Sequence, residues 1–166
     1  TDLPVMIYDI PGRTGVRITD ETLARLAEHE RILAVKDATG DVEQGFRRME
    51  ATGLEYYSGD DGLNFAWLAH GASGVVSVVA HADAHSWREM ITEVDAGDLA
   101  GARAVARRIR PLVQAIMGGG QGAVMAKEAL LLQGRIPSAA LRLPLVRAEA
   151  DEVAALRAVL DASGLL

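Results

Sequence analysis

Cysteine is absent from all 166 residues, so disulfides and thiolate metal sites are excluded. The net charge is −6, and the sequence contains no run of lysine and arginine. Both features disfavour nucleic acid and anionic membranes as partners. No apolar stretch reaches the roughly 20 residues that cross a bilayer, and no basic segment followed by an apolar one resembles a secretory signal. We therefore expect a cytoplasmic protein.

The composition that remains is that of a globular domain, with 49% apolar and 24% charged residues. The chain opens with Thr1-Asp2-Leu3-Pro4 and then enters a strand-like run without an initiator methionine. This start is typical of a segment cut from a larger protein, and we expect that origin here.

Four short apolar runs predict strands over residues 4–10, 32–35, 56–58 and 74–80. The second and fourth runs are almost continuously apolar, which indicates strands covered on both faces, as in parallel sheets. A helical pattern follows each strand, at residues 19–27, 42–52, 63–70 and 82–94, with Thr19, Asp41 and Asp61 as expected N-caps. Four successive strand–helix units predict an α/β fold with a parallel sheet.

Beyond residue 98 the pattern is helical only, with helices predicted at 99–117, 124–133 and 149–162. Pro111 is expected to kink or break the first of them. The glycine-rich residues 118–122 are interpreted as a hinge, because they follow no strand and lack the Gly-Lys-Ser/Thr ending of a phosphate loop.

Four such units can form either an open doubly wound sheet or half of an eight-stranded barrel, and periodicity does not choose between them. Both folds bind ligands at the carboxyl ends of the strands. Tyr8, Lys36, Gly59 and Val76 are predicted to lie at or near those ends.

Lys36 follows the apolar run Ile32-Leu33-Ala34-Val35. An ammonium held against an apolar interior loses its proton more easily, and the neutral amine is a nucleophile suited to forming an imine with a carbonyl. The alternative is a solvated loop lysine paired with Asp37.

The other candidates have similar alternatives. Tyr8 can relay a proton or simply pack in its strand. Arg13 lies between two glycines and can hold a carboxylate, or be a solvated loop residue. Gly59 would let a ligand approach the backbone, whereas Asp60 and Asp61 are better explained as helix caps.

Two further pairs of residues have other possible roles. His81 and His85 lie four residues apart and could share a helix face as metal ligands, but no third ligand is evident, so no metal is predicted. Trp67 and Trp87 lie in helical patterns and are expected in the core or at an interface.

Four segments together resemble the dihydrodipicolinate synthase family of the N-acetylneuraminate lyase superfamily. They are Tyr8-Asp9-Ile10-Pro11-Gly12-Arg13-Thr14-Gly15, Val35-Lys36-Asp37-Ala38-Thr39-Gly40, Ser58-Gly59-Asp60-Asp61 and Gly74-Val75-Val76-Ser77-Val78. Arg142-Leu143-Pro144-Leu145 and the final Gly164-Leu165-Leu166 are also similar. The resemblance runs from end to end of the chain.

The resemblance implies a TIM (βα)₈ barrel of which this chain holds the last four βα units, residues 1–97, and a three-helix C-terminal extension, residues 98–166. It implies that Lys36 forms a Schiff base with pyruvate, with no cofactor, and that the enamine attacks aspartate semialdehyde on the route to diaminopimelate and lysine. By the same resemblance Tyr8 relays protons, Arg13 holds a substrate carboxylate, and Gly59 and Val76 line the pyruvate pocket.

Related N-acetylneuraminate lyases and 2-keto-3-deoxy sugar acid aldolases share the tyrosine and lysine but usually lack the arginine, so Arg13 favours the synthase. Both of those activities remain alternatives, as does an inactive half-barrel that acts as an assembly module. The family also implies a homo-oligomer, a dimer of dimers. Four further βα units of the family barrel have no counterpart here, and we expect this chain alone to be inactive.

Overall fold

The computed structural model describes residues 2–119 and 121–166. The chain divides into two compact units, Thr1–Val76 and Ser77–Leu166. The sequence predicted a boundary between residues 97 and 98, where the half-barrel ends and the helical extension begins. This position lies inside the second unit, and the boundary stays a prediction.

The first unit contains one parallel sheet. Its strands are β1 (Val5–Asp9), β2 (Ile32–Asp37), β3 (Glu55–Ser58) and β4 (Gly74–Val75), and their order across the sheet is β1-β2-β3-β4. A doubly wound sheet reverses its strand order part-way across, whereas a barrel wall adds each strand beside the previous one. The order therefore favours the barrel.

Helices alternate with these strands. They are α1 (Pro11–Thr14), α2 (Asp20–Ala27), α3 (Val42–Thr52) and α4 (Asn64–Ala69). Two expected caps are confirmed: Thr19 accepts a hydrogen bond from the Thr22 amide and Asp41 accepts one from the Gln44 amide. Gly53 ends α3 with φ of 65°, the left-handed conformation that favours glycine.

The core of this unit lies between one face of the sheet and the helices. Its centre is a buried cluster from α2, β2, β3, α4 and the turn before β3, namely Leu23, Val35, Tyr56, Trp67 and Leu54. Burial raises the pKa of Tyr56 to about 12. Met6 and Tyr8, which alternate onto the other face of β1, are each 42% exposed. Cover on both faces was predicted for β2 and β4 and not for β1; in β2, Ala34 and Val35 are buried but Leu33 is 51% exposed, so that expectation is met only in part.

Two local predictions were wrong. The fourth strand was expected over residues 74–80, but β4 ends at Val75 and a 3₁₀ turn occupies Val79–His81. The Ser77 hydroxyl accepts a hydrogen bond from the Ala80 amide and so stabilises a turn instead of a ladder. Asp61 does not cap α4, which begins after Leu63 with no side-chain cap; its carboxylate accepts from the Asn64 side chain instead.

The second unit is helical. After the 3₁₀ turn come α5 (Ala84–Asp95), α6 (Leu99–Met117), α7 (Gly122–Leu132) and α8 (Ala150–Ala162), so the three expected tail helices are confirmed. Trp67 of the first unit and Trp87 of α5 are both buried, as expected of core residues. Gly118 is the C-cap of α6, and Gly120 lies outside the described residues, so the hinge stays a prediction.

Pro111 lies inside α6 without breaking it. Proline removes one backbone donor from a helix. Here the helix buries Val105, Ile109, Leu112 and Ile116 on one side, and this packing outweighs the lost hydrogen bond.

The described residues contain neither a membrane-spanning helix nor a group of side chains arranged to hold a metal ion. Within residues 2–119 and 121–166, no helix is both long and apolar enough to span a membrane. Over the same residues, no group of three or more histidine, aspartate or glutamate side chains is arranged to hold a metal ion, and His81 and His85 form no such group.

We predict that the 166-residue chain, produced alone, associates with itself or aggregates. Its sheet presents an exposed face at Met6 and Tyr8, and among the described residues β1 and β4 each pair on one side only. Open strand edges and exposed apolar surface promote association. Light scattering at several concentrations measures this, and a monomer that melts cooperatively would contradict the barrel interpretation of the isolated chain.

Candidate active site

The parallel register brings Tyr8 and Lys36 to the same level of the sheet. Tyr8 of β1 pairs with Lys36 of β2, and Lys36 pairs in turn with Tyr57 of β3. Because partners in adjacent strands point to the same face, these side chains all lie on the face opposite the helices. Lys36 therefore belongs to β2, as its second-last residue, and not to the loop that follows the strand.

The Lys36 ammonium lies over the Tyr8 ring, with Nζ 4.0 Å from the ring centroid. This distance is well within the range of a cation–π interaction. The alternative in which Lys36 pairs with Asp37 is wrong, because Asp37 points to the helix-covered face and its carboxylate accepts hydrogen bonds from the amide and hydroxyl of Thr39, at 2.9 and 2.8 Å.

Gly59 lies against the lysine side chain. Its amide donates to the Asp37 carbonyl at 2.7 Å, which continues the β2–β3 pairing by one step. A Cβ atom at Gly59 would lie 2.8 Å from Lys36 Cε and 2.9 Å from Lys36 Cγ. A residue without a side chain is therefore needed for Lys36 to keep this position.

Val76 occupies the equivalent place on the next strand. Its amide donates to the Ser58 carbonyl at 2.8 Å, one residue beyond the end of β4. The backbone thus places Tyr8, Lys36, Gly59 and Val76 at consecutive strand ends, which is the arrangement expected from the sequence.

Arg13 lies in the short helix α1, directly after β1, and is exposed. Gly15, with φ of 74°, ends this helix and turns the chain towards α2. Within the described residues, the Arg13 side chain forms no ion pair or hydrogen bond, so its guanidinium is open to a ligand. In the described part of the chain, no hydrogen bond or ion pair joins it to Lys36 or Tyr8.

Sequence reasoning missed a charged cluster on the other side of the sheet, formed by Asp9, Asp37 and Arg48. Their exposed fractions are 2%, 2% and 6%. Burial, more than any neighbouring group, raises the pKa of Asp37 above its ordinary value, and the hydrogen bonds from Thr39 oppose this. The available signal was alternation, since Asp9 and Asp37 each follow a candidate residue and so point into the helix layer, where a buried acid needs a partner.

Tyr57 is a second residue that the sequence did not single out. It shares the face of Lys36, and its hydroxyl donates to the Glu55 carboxylate at 3.0 Å. This hydrogen bond raises the pKa of Tyr57. Since Glu55 lies earlier on the same strand, the phenol is held towards the amino end of β3 and away from Gly59.

Comparison with known proteins agrees with this geometry. Residues 1–163 match the model of the dihydrodipicolinate synthetase family. The chain belongs to this family.

Individual relatives show the same. The chain is 53% identical to a 4-hydroxy-tetrahydrodipicolinate synthase from Kineococcus radiotolerans over 99% of this chain and 54% of the relative, and 46% identical to one from Bifidobacterium animalis over the same shares. The structure of dihydrodipicolinate synthase from Thermotoga maritima superposes with a TM-score of 0.94 at 38% identity, over 100% of this chain and 58% of that one. The chain thus spans about half the length of the relatives it matches, and its fold is that of a partial (βα)₈ barrel.

We predict that Gly59→Ala displaces Lys36 from Tyr8. The new methyl group would overlap Cε and Cγ of the lysine and meet the Asp37 carbonyl at 3.0 Å. Overpacking of this kind costs about 1–3 kcal/mol, measurable by denaturant unfolding of the complete barrel, and a crystal structure of the same protein should show Nζ more than about 6 Å from the ring centroid.

The matched control is Gly12→Ala, because a Cβ there meets nothing within 4 Å. This variant should keep both its stability and the contact between Lys36 and Tyr8. A Gly59→Ala protein with an unmoved lysine would show that the strand end yields instead of the side chain.

Proposed function

We propose that this chain is the C-terminal half of a 4-hydroxy-tetrahydrodipicolinate synthase, a Schiff-base lyase of diaminopimelate and lysine biosynthesis. The observation that carries the proposal is the placement of Lys36 Nζ over the Tyr8 ring at the carboxyl edge of a barrel-like sheet. Family membership supports it, as does a related structure from Acinetobacter baumannii, 33% identical to this chain, which was solved in complex with pyruvate.

Lys36 is the proposed nucleophile. Its neutral amine adds to the C2 carbonyl of pyruvate, and the resulting carbinolamine loses its oxygen as water to give an imine. Loss of a C3 proton turns the imine into an enamine, whose C3 forms the new bond to the aldehyde carbon of aspartate semialdehyde. The lysine side chain is held for this step by two contacts: its Nζ lies over the Tyr8 ring, and its Cγ and Cε lie beside Gly59.

Tyr8 is the proposed proton relay. Its ring is the surface on which the lysine terminus lies, and its hydroxyl is suited to delivering the proton that departs with the carbinolamine oxygen. Gly59 and Val76, at the next two strand ends, are proposed to line the pyruvate pocket because neither presents a polar side chain to the methyl carbon of the imine.

Arg13 is proposed to bind the carboxylate of the acceptor. Its guanidinium is exposed and, among the described residues, has no acidic partner, so two parallel hydrogen bonds to a carboxylate are available. This favours a short semialdehyde over the polyol chain of a sugar acid, which needs hydroxyl partners instead. A complete barrel, a homo-oligomeric assembly as a dimer of dimers and the cytoplasmic setting remain parts of the proposal.

We predict that borohydride in the presence of pyruvate labels Lys36 when the barrel is complete. Reduction traps the imine as a stable secondary amine, which adds a pyruvate-derived mass to one lysine. Peptide mass spectrometry locates it. Lys127 is the internal control, because it is the only other lysine in these 166 residues and its ammonium donates to the Ala140 carbonyl at 2.6 Å.

Three outcomes would count against the proposal in different ways. Labelling at Lys127 would contradict the lysine assignment. Trapped pyruvate combined with cleavage of N-acetylneuraminate or a 2-keto-3-deoxy sugar acid, and no use of aspartate semialdehyde, would favour the related aldolases. A folded complete barrel without any trapped imine would favour the inactive assembly module.

We predict that Arg13→Ala lowers kcat/KM for aspartate semialdehyde far more than it slows imine formation with pyruvate. Loss of a charge-assisted pair costs about 2–5 kcal/mol, which is at least about 30-fold in kcat/KM. Steady-state kinetics and single-turnover trapping separate the two steps. Arg25→Ala, which removes another exposed arginine, on α2, should change neither, and equal damage to both steps by Arg13→Ala would indicate a structural role.

A further inference from the structure

We infer that Arg48 is a positioning residue that closes the base of the Arg13 loop, defined here as residues 10–17. The inference rests on the proposed function in one respect, since it takes Arg13 as the group that binds the acceptor. The contacts that carry it all lie within residues 9–48, on the helix-covered side of the sheet.

The guanidinium of Arg48 reaches both ends of this loop from α3. Nη1 contacts the Asp9 carboxylate at 3.2 Å, immediately before the loop, and Nη2 donates to the Ile18 carbonyl at 2.7 Å, immediately after it. Nε donates to the Asp20 carboxylate at 2.6 Å at the start of α2. One side chain therefore joins β1, the end of the loop and α2.

Asp9 completes the closure from the opposite direction. One of its carboxylate oxygens faces Arg48, and the other accepts from the Ile18 amide at 3.4 Å. The two ends of the Arg13 loop are thus bonded to each other as well as to Arg48. The Asp9 carbonyl also accepts from the Ala38 amide at 2.9 Å, which ties the same point to the chain after Lys36.

The three directions of this fork require arginine. A lysine ammonium has its three donors on one nitrogen, whereas a guanidinium spreads five donors over three nitrogens in a fixed plane and can serve Asp9, Ile18 and Asp20 together. The Arg48–Asp9 pair is almost fully buried, so removal of Arg48 leaves the Asp9 carboxylate without a cation in a water-poor layer. Removal of the Asp9 charge leaves Arg48 with the Ile18 carbonyl and the more exposed Asp20.

A second, weaker tie comes from the same side of α3. Gln44 lies one helical turn before Arg48, and its side-chain oxygen accepts from Arg17 Nη1 at 2.7 Å. Arg17 also forms an ion pair with Asp41, but both partners are substantially exposed and such pairs contribute little. The buried contacts of Arg48 are therefore the main restraint on the loop.

Restraint at the base of the loop matters because Arg13 lies in a short helix within the loop, so a shift of the loop ends would move its guanidinium. Displacement of a binding group by about 1 Å costs up to about 100-fold in rate even when the change lies far from the chemistry. Lys36, by contrast, is held by β2 and Gly59, and among the described residues Arg48 forms no hydrogen bond or ion pair with Lys36 or Gly59. Loss of Arg48 should therefore affect the acceptor step selectively.

The experiment uses Arg48→Gln and Asp9→Asn in the complete barrel, with Arg47→Gln as the matched control. Arg47 is the adjacent residue on α3, is exposed and, among residues 2–119 and 121–166, forms an ion pair only with Glu43 of the same helix. Expected for Arg48→Gln is a rise of about 10- to 100-fold in KM for aspartate semialdehyde, with imine formation from pyruvate within about threefold of the unmodified protein.

Hydrogen–deuterium exchange supplies a readout that does not depend on activity. Peptides covering residues 10–18 should exchange faster in Arg48→Gln, whereas those covering α3 from Val42 onward and β2 should not. Asp9→Asn keeps an acceptor for the Ile18 amide but removes the charge, so it should show the same pattern to a smaller degree and serves if Arg48→Gln does not fold. Arg48→Lys should restore only part of the protection, because it cannot make three directed bonds.

The outcomes separate this inference from the proposed function. Unchanged exchange of residues 10–18 in a folded Arg48 or Asp9 variant would overturn the inference, as would an equal loss of both reaction steps. Failure of the unmodified complete barrel to form an imine with pyruvate would overturn the proposed function, and the exchange result would still decide whether Arg48 closes the loop.

Discussion

In β1 and β2, Tyr8 lies opposite Lys36 and Asp9 lies opposite Asp37, and the candidate site depends on this register. A slip of one residue would exchange the two faces, so that the lysine would enter the helix layer and the carboxylates would face the reaction space. The register is held by the buried contacts of Ile7, Val35 and Tyr56 with the helices, and beyond the strands by the amide of Gly59 on the Asp37 carbonyl. Apolar packing on one side thereby determines the chemistry available on the other.

Local patterns were enough to predict the residues that a single strand positions. Lys36 and Tyr8 each end an apolar run, and Gly59 follows one, so the predicted strands alone put all three at the carboxyl edge of the sheet. Arg48 could not be found in this way, because its partners Asp9, Ile18 and Asp20 are 39, 30 and 28 residues distant in the chain. Within its helix it resembles any polar residue. The predicted length of the fourth strand was wrong for a related reason. A parallel strand extends only as far as it pairs with its neighbour, and here the Ser77 hydroxyl accepts from the Ala80 amide and stabilises a turn instead.

The charged cluster behind the strands is difficult to explain by stability. Burying a guanidinium and two carboxylates costs desolvation energy that their attraction only partly offsets, and apolar residues of similar size would often serve the fold as well. Burial raises the pKa of Asp37, which is the direction that this cost predicts. What the cluster provides is direction, since hydrogen bonds fix the chain after β1 at a particular point where apolar contacts would allow it to slide.

The two faces of the sheet therefore have different requirements. The inner face needs further strands before it encloses a substrate, as the exposure of Met6 and Tyr8 indicates. On the outer face, the base of the Arg13 loop has its partners already, since Arg48, Asp9, Ile18 and Asp20 all belong to the described part of this chain and bond to one another. It follows that the position of the Arg13 loop is determined locally, before any barrel closes, and that closure supplies the enclosure of the site and not the placement of its arginine. Any arrangement of the remaining strands would then meet a loop whose base is already set.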